Sequence, residues 1–138
     1  MEKLRVDWDD LDILDGNNIA YYQAQYFTGW ACTFFEDGSV QDEMQFCDGA
    51  QTGLYYEYER KGKLLREEHY LNSNLHGRAR SWHINGQLAS EEFYQGSVLM
   101  KERRWDEEGN LLRDYHIDPH DSRIEILKKL KLYTELPD

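Results

Sequence analysis

The stretch 77-GRARSWHINGQLASEEFYQG-96 opens on glycine, reaches an aromatic residue five positions later, turns at Asn85-Gly86, and runs through Leu88 and Glu91 to Tyr94. The stretch 53-GLYYEYERKGKLLREEHY-70 follows the same order with other residues. Aligned on the opening position, Gly29, Gly53, Gly77 and Met100 start four copies spaced 24, 24 and 23 residues apart. Phe34, Tyr58, Trp82 and Trp105 form an aromatic column, and Gly38, Gly62, Gly86 and Gly109 a turn column. Val40, Leu64, Leu88 and Leu111 are aliphatic, Glu43, Glu67, Glu91 and Asp114 are acidic, and Phe46, Tyr70, Tyr94 and Ile117 close each unit. Only Met100 and Ile117 fall outside their column's type. A fixed period of this length marks a repeat architecture.

Each unit reads as a β-hairpin, two runs of aromatic and branched residues punctuated by glycine. A three-residue loop at Glu36-Asp37-Gly38 places Phe34 opposite Val40. A two-residue turn would instead face Val40 with Phe35, whose counterparts Glu59, His83 and Asp106 are polar. The three-residue loop pairs every aromatic with an aliphatic partner. This register predicts one apolar face carrying Phe34, Val40 and Phe46 and their equivalents, with the acidic column on the opposite face. Units join at Cys47-Asp48-Gly49, Asn72-Ser73-Asn74 and Gln95-Gly96, residues suited to left-handed turns.

The fold class expected is mainly β, an elongated antiparallel meander of about ten strands in stacked hairpins, stabilised by neighbour on neighbour. One domain spans 1–138: N-terminal strands and a partial repeat at 1–28, four hairpins at 29–118, and a helix and tail at 119–138. The helix is predicted over 122–136, with Ser122 and Glu125 as a capping box. Its stripe would be Ile126, Leu127, Leu130 and Tyr133, and it would cover the last strand's exposed edge.

The pattern Gly-x4-aromatic-x3-Gly-x-Leu-x2-Glu-x2-Tyr resembles the MORN-like repeat variant of bacterial YwqK-type antitoxin proteins. The likeness is carried by 26-YFTG-29, 28-TGW-30 with 38-GSVQDEMQF-46, and 77-GRARSWHINGQLASEEFYQG-96, and covers about residues 20–118. It implies a hairpin-repeat scaffold and, in the antitoxin branch, a protein that binds and neutralises a cognate toxin.

Charge bounds the partners. The chain carries 27 acidic against 16 basic residues, a net −11. Such a surface repels phosphate backbones and anionic headgroups, so neither nucleic acid nor membrane is expected as a partner. A basic protein is favoured. The densest feature, 7-DWDDLDILD-15, sets Asp7, Asp9, Asp10, Asp12 and Asp15 around Trp8, Leu11 and Ile13. It reads either as an acidic arm for a toxin's basic cleft or as a solvated, aggregation-blocking edge. Phe35, Glu36, Asp37, Tyr55 and Tyr56 complete the candidate partner-binding set, as aromatic anchors with adjoining acid. The alternative for Phe35, Tyr55, Tyr56 and Phe93 is a small core on each face.

The acidic column is expected to pair with basic neighbours such as Arg66, Arg104 and Arg113. The stretch 116-HIDPHD-121 has ligand-type residues in an ordinary loop position, and no metal or cofactor is expected. No nucleophile triad or glycine-rich phosphate loop is present, so no enzyme is expected. Cys32 and Cys47 read as reduced apolar residues, and a start without an apolar leader points to a cytoplasmic protein. The function expected is an immunity protein for a toxin directed at nucleic acid, and the alternative is a repeat scaffold joining other proteins.

Overall fold

The computed structural model describes residues 4–14, 16 and 18–136. Ten strands form one sheet: β1 (Arg5–Asp7), β5 (Gly29–Phe34), β6 (Val40–Cys47), β7 (Ala50–Tyr58), β8 (Leu64–Leu71), β9 (Asn74–Leu75), β10 (Gly77–Trp82), β11 (Leu88–Gln95), β12 (Val98–Trp105) and β13 (Leu111–His116). From β5 onward the sheet is an antiparallel meander, with β9 extending β10 against β8. At its start β1 lies parallel to β5. A second, three-stranded sheet holds β2 (Asp12–Ile13), β3 (Ala20–Tyr22) and β4 (Gln25–Tyr26). One helix follows, α1 (Ser122–Lys129).

The three-residue loops are present. Phe35 N donates to Ser39 O and Gly38 N to Phe35 O, both at 2.9 Å, and Phe34 faces Val40. The turn glycines of the four copies have φ of 87°, 88°, 90° and 89°, a conformation open to glycine at little steric cost. Between hairpins, two-residue turns at Asp48-Gly49, Asn72-Ser73 and Gly96-Ser97 all have positive φ. Each turn is tied to the preceding unit. Gly49 N reaches Phe27 O, Ser73 N reaches Gln51 O and Ser97 N reaches Leu75 O, all at 2.8 Å. Beside them Thr28, Thr52 and His76 accept from the backbone N–H of Asp48, Asn72 and Gly96. The units are therefore hydrogen-bonded into a stack as well as paired within a sheet.

The single apolar face is not what forms. In every copy the register slips once beside the loop, between Thr33/Phe34, Glu57/Tyr58, Ser81/Trp82 and Arg104/Trp105. Each slip is a β-bulge, and one extra residue reverses the alternation beyond it. The aromatics at the hairpin tips, Phe34, Tyr58, Trp82 and Trp105, consequently share the upper face with the acidic column. Phe46, Tyr70, Tyr94 and Ile117 lie on the lower face. Tyr58 confirms this by donating from its hydroxyl to Glu43 at 2.7 Å.

The fourth copy departs from the pattern for a reason visible in the packing. In copies one to three the opening glycine faces the closing aromatic: Gly29 with Phe46, Gly53 with Tyr70, Gly77 with Tyr94. In the fourth, Met100 and Ile117 pair instead and form a buried cluster with Ile124 and Leu127 of α1. The helix thus docks beneath the sheet and leaves β13 exposed, contrary to the expected edge cover. Its N-cap is Asp121, which accepts from Arg123 N at 2.9 Å, rather than Ser122. It ends at Lys129, with Lys131 in the left-handed region, so the tail bends back and Thr134 O and Oγ1 accept from Gln95 Nε2. Ile126 and Leu130 face solvent. Among the described residues no helix is long and apolar enough to cross a membrane.

Candidate functional site

The start of the chain builds a cap on the first hairpin. Val6, Ala20, Phe27, Ala31 and Phe46 are buried together, with Trp8, Leu11, Tyr22 and Met44 packed against them. Phe27 is the centre, 1 % exposed and tilted against Phe46 with ring centroids 5.6 Å apart. The small sheet joins this core through Ala20 N, which donates to Gly49 O at 2.8 Å, and Phe27 N, which donates to Ala20 O at 3.0 Å. Gly49 fits beneath it because a Cβ there would stand 2.5 Å from Ile19 Cγ2.

The outer side of the cap stays apolar. Leu4, Ile13, Leu14 and Tyr26 are 48, 42, 53 and 63 % exposed. Tyr26 stacks on Tyr21 with centroids 5.2 Å apart. A shallow groove of about 490 Å³ runs along Leu11, Asp12, Ile13, Leu14, Tyr21 and Ala24. Large apolar residues clustered at a polar rim mark interaction surfaces.

The rim is acidic. Asp7 caps the single 3-10 turn Trp8–Asp10 by accepting from Asp9 N at 2.9 Å. That bond holds Asp9 and Asp10 outward, and both are exposed, as is Asp12 on β2. Asp15 lies outside the described residues. Residues 1–58 contain 12 of the acidic and 2 of the basic residues, a net −10, whereas residues 59–138 contain 15 and 14, a net −1. Nearly all the excess charge therefore sits at the capped end, and a count along the chain would have found it without a structure.

The remaining predicted residues do not form one site with this arm. Phe35 lies under the Arg60 guanidinium, 5.5 Å from its centroid, at the tip of the first hairpin. Glu36 is exposed there, and Asp37 accepts from Ser39 N and Oγ, bonds that hold its carboxyl below the usual range. Tyr55 and Tyr56 point to opposite faces. Tyr55 donates to Asp42 on the lower face and meets Tyr70 edge-on. Tyr56 stacks on buried Trp30 on the upper face, interplanar angle 6°. The small-core alternative holds for both tyrosines.

The acidic column pairs as expected, with different partners. Across the upper face the row runs Glu43, Tyr56, Glu67, Arg80, Glu91, Arg103, Asp114. Arg80 meets Glu67 at 3.0 Å, Arg103 meets Asp114 at 3.6 Å, and Arg5 meets Glu43 at 2.6 Å. Arg66, Arg104 and Arg113 instead serve the lower face, where Glu68, Glu92 and Glu102 are 8, 1 and 5 % exposed. Arg66 bridges Glu68 and Glu92, Arg104 bridges Glu92 and Glu102, and Arg113 meets Glu102 at 2.7 Å. Tyr70 donates to Glu68, and Tyr94 and Ser90 donate to Glu92. Burial pushes Glu92 up, but its bonds from Arg66, Tyr94 and Ser90 outweigh that and hold it below the ordinary 4.5. Burial and the same carboxylate push Tyr94 up to about 12. These charges are consumed internally and are not offered to a partner. Their signal was the repeated second glutamate in 66-REEHY-70 and 90-SEEFY-94.

Among the described residues no cluster of three or more His, Cys, Asp or Glu could hold a metal ion.

Two segments, 51–72 and 75–95, match the family model of a MORN repeat variant. They are the hairpins β7–β8 and β9–β11, and the match supports a repeat-built protein-interaction module. No curated protein matches the chain. Among solved structures, the crystal structure of the GtfA/B complex bound to UDP and GlcNAc is similar over 88 % of this chain, with 13 % identity and a TM-score of 0.33. The chain spans 27 % of that chain's length.

Proposed function

We propose that the chain is an immunity protein whose acidic capped end occludes the basic surface of a cognate toxin. The observation that carries this reading is the concentration of net −10 in residues 1–58 around the exposed Ile13, Leu14 and Tyr26. An interface of ordinary size covers about 800 Å² on each partner, with an apolar centre and a polar rim. The cap offers both components. Its charge would steer a cationic partner, raising the association rate by roughly ten- to a thousandfold at low salt. The same field opposes nucleic acid and anionic lipid as ligands, and the role is binding rather than catalysis.

The test is capture from lysate of the source cell, washed at low and then high salt, followed by co-expression of each retained protein with and without this chain. The reading holds if one basic, stoichiometric partner arrests growth alone and is neutralised by the chain. It also requires that Asp9→Asn/Asp10→Asn/Asp12→Asn slow association and weaken the salt dependence. A harmless partner, or one indifferent to that triple variant, returns the chain to a general repeat scaffold. The match of two hairpins to the MORN repeat variant favours that second reading.

A further inference from the structure

We propose that β13, the open end of the ten-stranded sheet, is a docking edge for an extended strand of a partner protein that sets a basic residue opposite Asp114. The two ends of the sheet differ. At the first, β1 lies along β5. At the last, the sheet order stops at β13, whose Leu111 and Leu112 are 54 and 67 % exposed. The helix that leaves β13 packs on Met100 and Ile117 beneath the sheet, and so covers neither leucine. Ile117 N donates inward to Met100 O at 2.8 Å. Alternation along an antiparallel strand then turns the peptide groups of Asp114 and His116 outward. An edge of this kind is a template for a further strand.

The interior repeats state what that strand must carry. The strands equivalent to β13 are β6, β8 and β11, and each is followed by a neighbour. Opposite Glu43, Glu67 and Glu91 those neighbours place Tyr56, Arg80 and Arg103. Two positions after each comes an aromatic, Tyr58, Trp82 or Trp105. In the interior, Glu67 is closed in by Arg78 and Arg80, with its side chain 14 % exposed. Asp114 has Arg103 behind it at 3.6 Å, and its side chain remains 52 % exposed. The incoming strand that completes the row carries a basic residue and, two residues on, an aromatic.

A second copy of the chain fits less well. Symmetric antiparallel pairing about Asp114 sets the two aspartates opposite each other, which is destabilising. Pairing about Tyr115 joins little beyond Asp114–His116 before the strand ends and Ile117 goes under the helix. A heterologous strand can pair along the whole of β13. This surface is separate from the acidic cap and stands whether or not the partner there is a toxin.

The probe is a peptide with the sequence of residues 98–105, Val-Leu-Met-Lys-Glu-Arg-Arg-Trp, which already occupies this position beside β11. A second peptide carries glutamate in place of the arginine equivalent to Arg103. Both are titrated into the isotope-labelled full chain and followed by amide chemical shifts and hydrogen exchange. The first peptide is expected to protect the Asp114 and His116 amides, and the second to bind more weakly. Asp114→Arg should weaken the first peptide by about three- to tenfold and favour the second, with Asp114→Asn between them. Unchanged amide shifts away from β13 show that each variant is folded. Equal binding of the two peptides, shifts confined to the acidic cap, or no binding at millimolar peptide would overturn the proposal. So would a dimer of the chain alone with those two amides already protected, which would assign the edge to a second copy.

Discussion

The lower face of the sheet is filled in two ways along its length. Under β5 to β7 it is apolar, with Phe27, Ala31, Met44 and Phe46 closed by the cap. From β8 to β13 the same rows hold Glu68, Glu92 and Glu102, cross-linked by three arginines and roofed by Tyr70 and Tyr94. The repeat sets which positions are enclosed and leaves their chemistry open, provided every buried polar group finds partners. Glu92 and Glu102 stand directly opposite one another, a pairing tolerable only because Arg104 lies between them at 3.6 and 2.9 Å.

The widest contrast should come from one substitution in each region. Glu92→Ala leaves Arg66 and Tyr94 without their acceptor and is expected to cost about 3–5 kcal/mol in urea unfolding. Phe27→Ala should cost a similar amount, about 3–5 kcal/mol, through the cavity it leaves. The difference lies in pH. Because the folded carboxyl of Glu92 titrates below 4.5, its contribution is complete above that value and is lost as pH falls through the folded one. The acid slope should flatten in Glu92→Gln and persist in Phe27→Ala. If both variants keep the wild-type slope, the network is not the source of acid sensitivity.

Leu127→Ala, which removes a side chain 3 % exposed beneath Met100 and Ile117, should cost about 2–4 kcal/mol. Its hydrogen-exchange signature should be confined to β12, β13 and the helix. Loss of protection in β5 or β6 would mean the two ends are coupled more tightly than neighbour stacking allows.

At high pH the roof rather than the floor responds. Tyr94 is raised to about 12, so its contribution is intact below 10 and lost as pH climbs through 12. Tyr94→Phe should therefore blunt alkaline unfolding, followed by tyrosinate absorbance and circular dichroism together. The smallest effect expected is at a hairpin tip. Gly86→Ala, at φ 90°, should lower stability by about 1 kcal/mol without altering either pH limb.

The period, the loops and the strand count were legible because glycine and aromatic columns state them directly. The faces were not. A bulge leaves no residue type behind, and Gln41, Leu65, Ala89 and Leu112 at the slipped positions share no chemistry. Parity carried through them assigns half the columns to the wrong side. Met100 and Ile117 look like decay of the repeat, yet they mark where the helix docks, since an aliphatic pair replaces a glycine–aromatic one under Leu127. The acidic arm was found by its density. Its apolar surround was missed because Tyr26, Ile13 and Leu14 are far apart along strands too short to show alternation.

The sheet order, unbroken from β5 to β13 apart from the β9–β10 interruption, also governs how the chain assembles. Nearly every strand pairs with the one made just before it, so contacts are local in sequence, unusual for so β-rich a protein and a condition for fast folding. During synthesis each hairpin can close on its predecessor as soon as it emerges, through turns that bond back 22 residues, as Gly49 does to Phe27, Ser73 to Gln51 and Ser97 to Leu75. Only β1 must wait for a strand about 25 residues downstream. Translation from one end to the other thus matches the order in which the stack can grow.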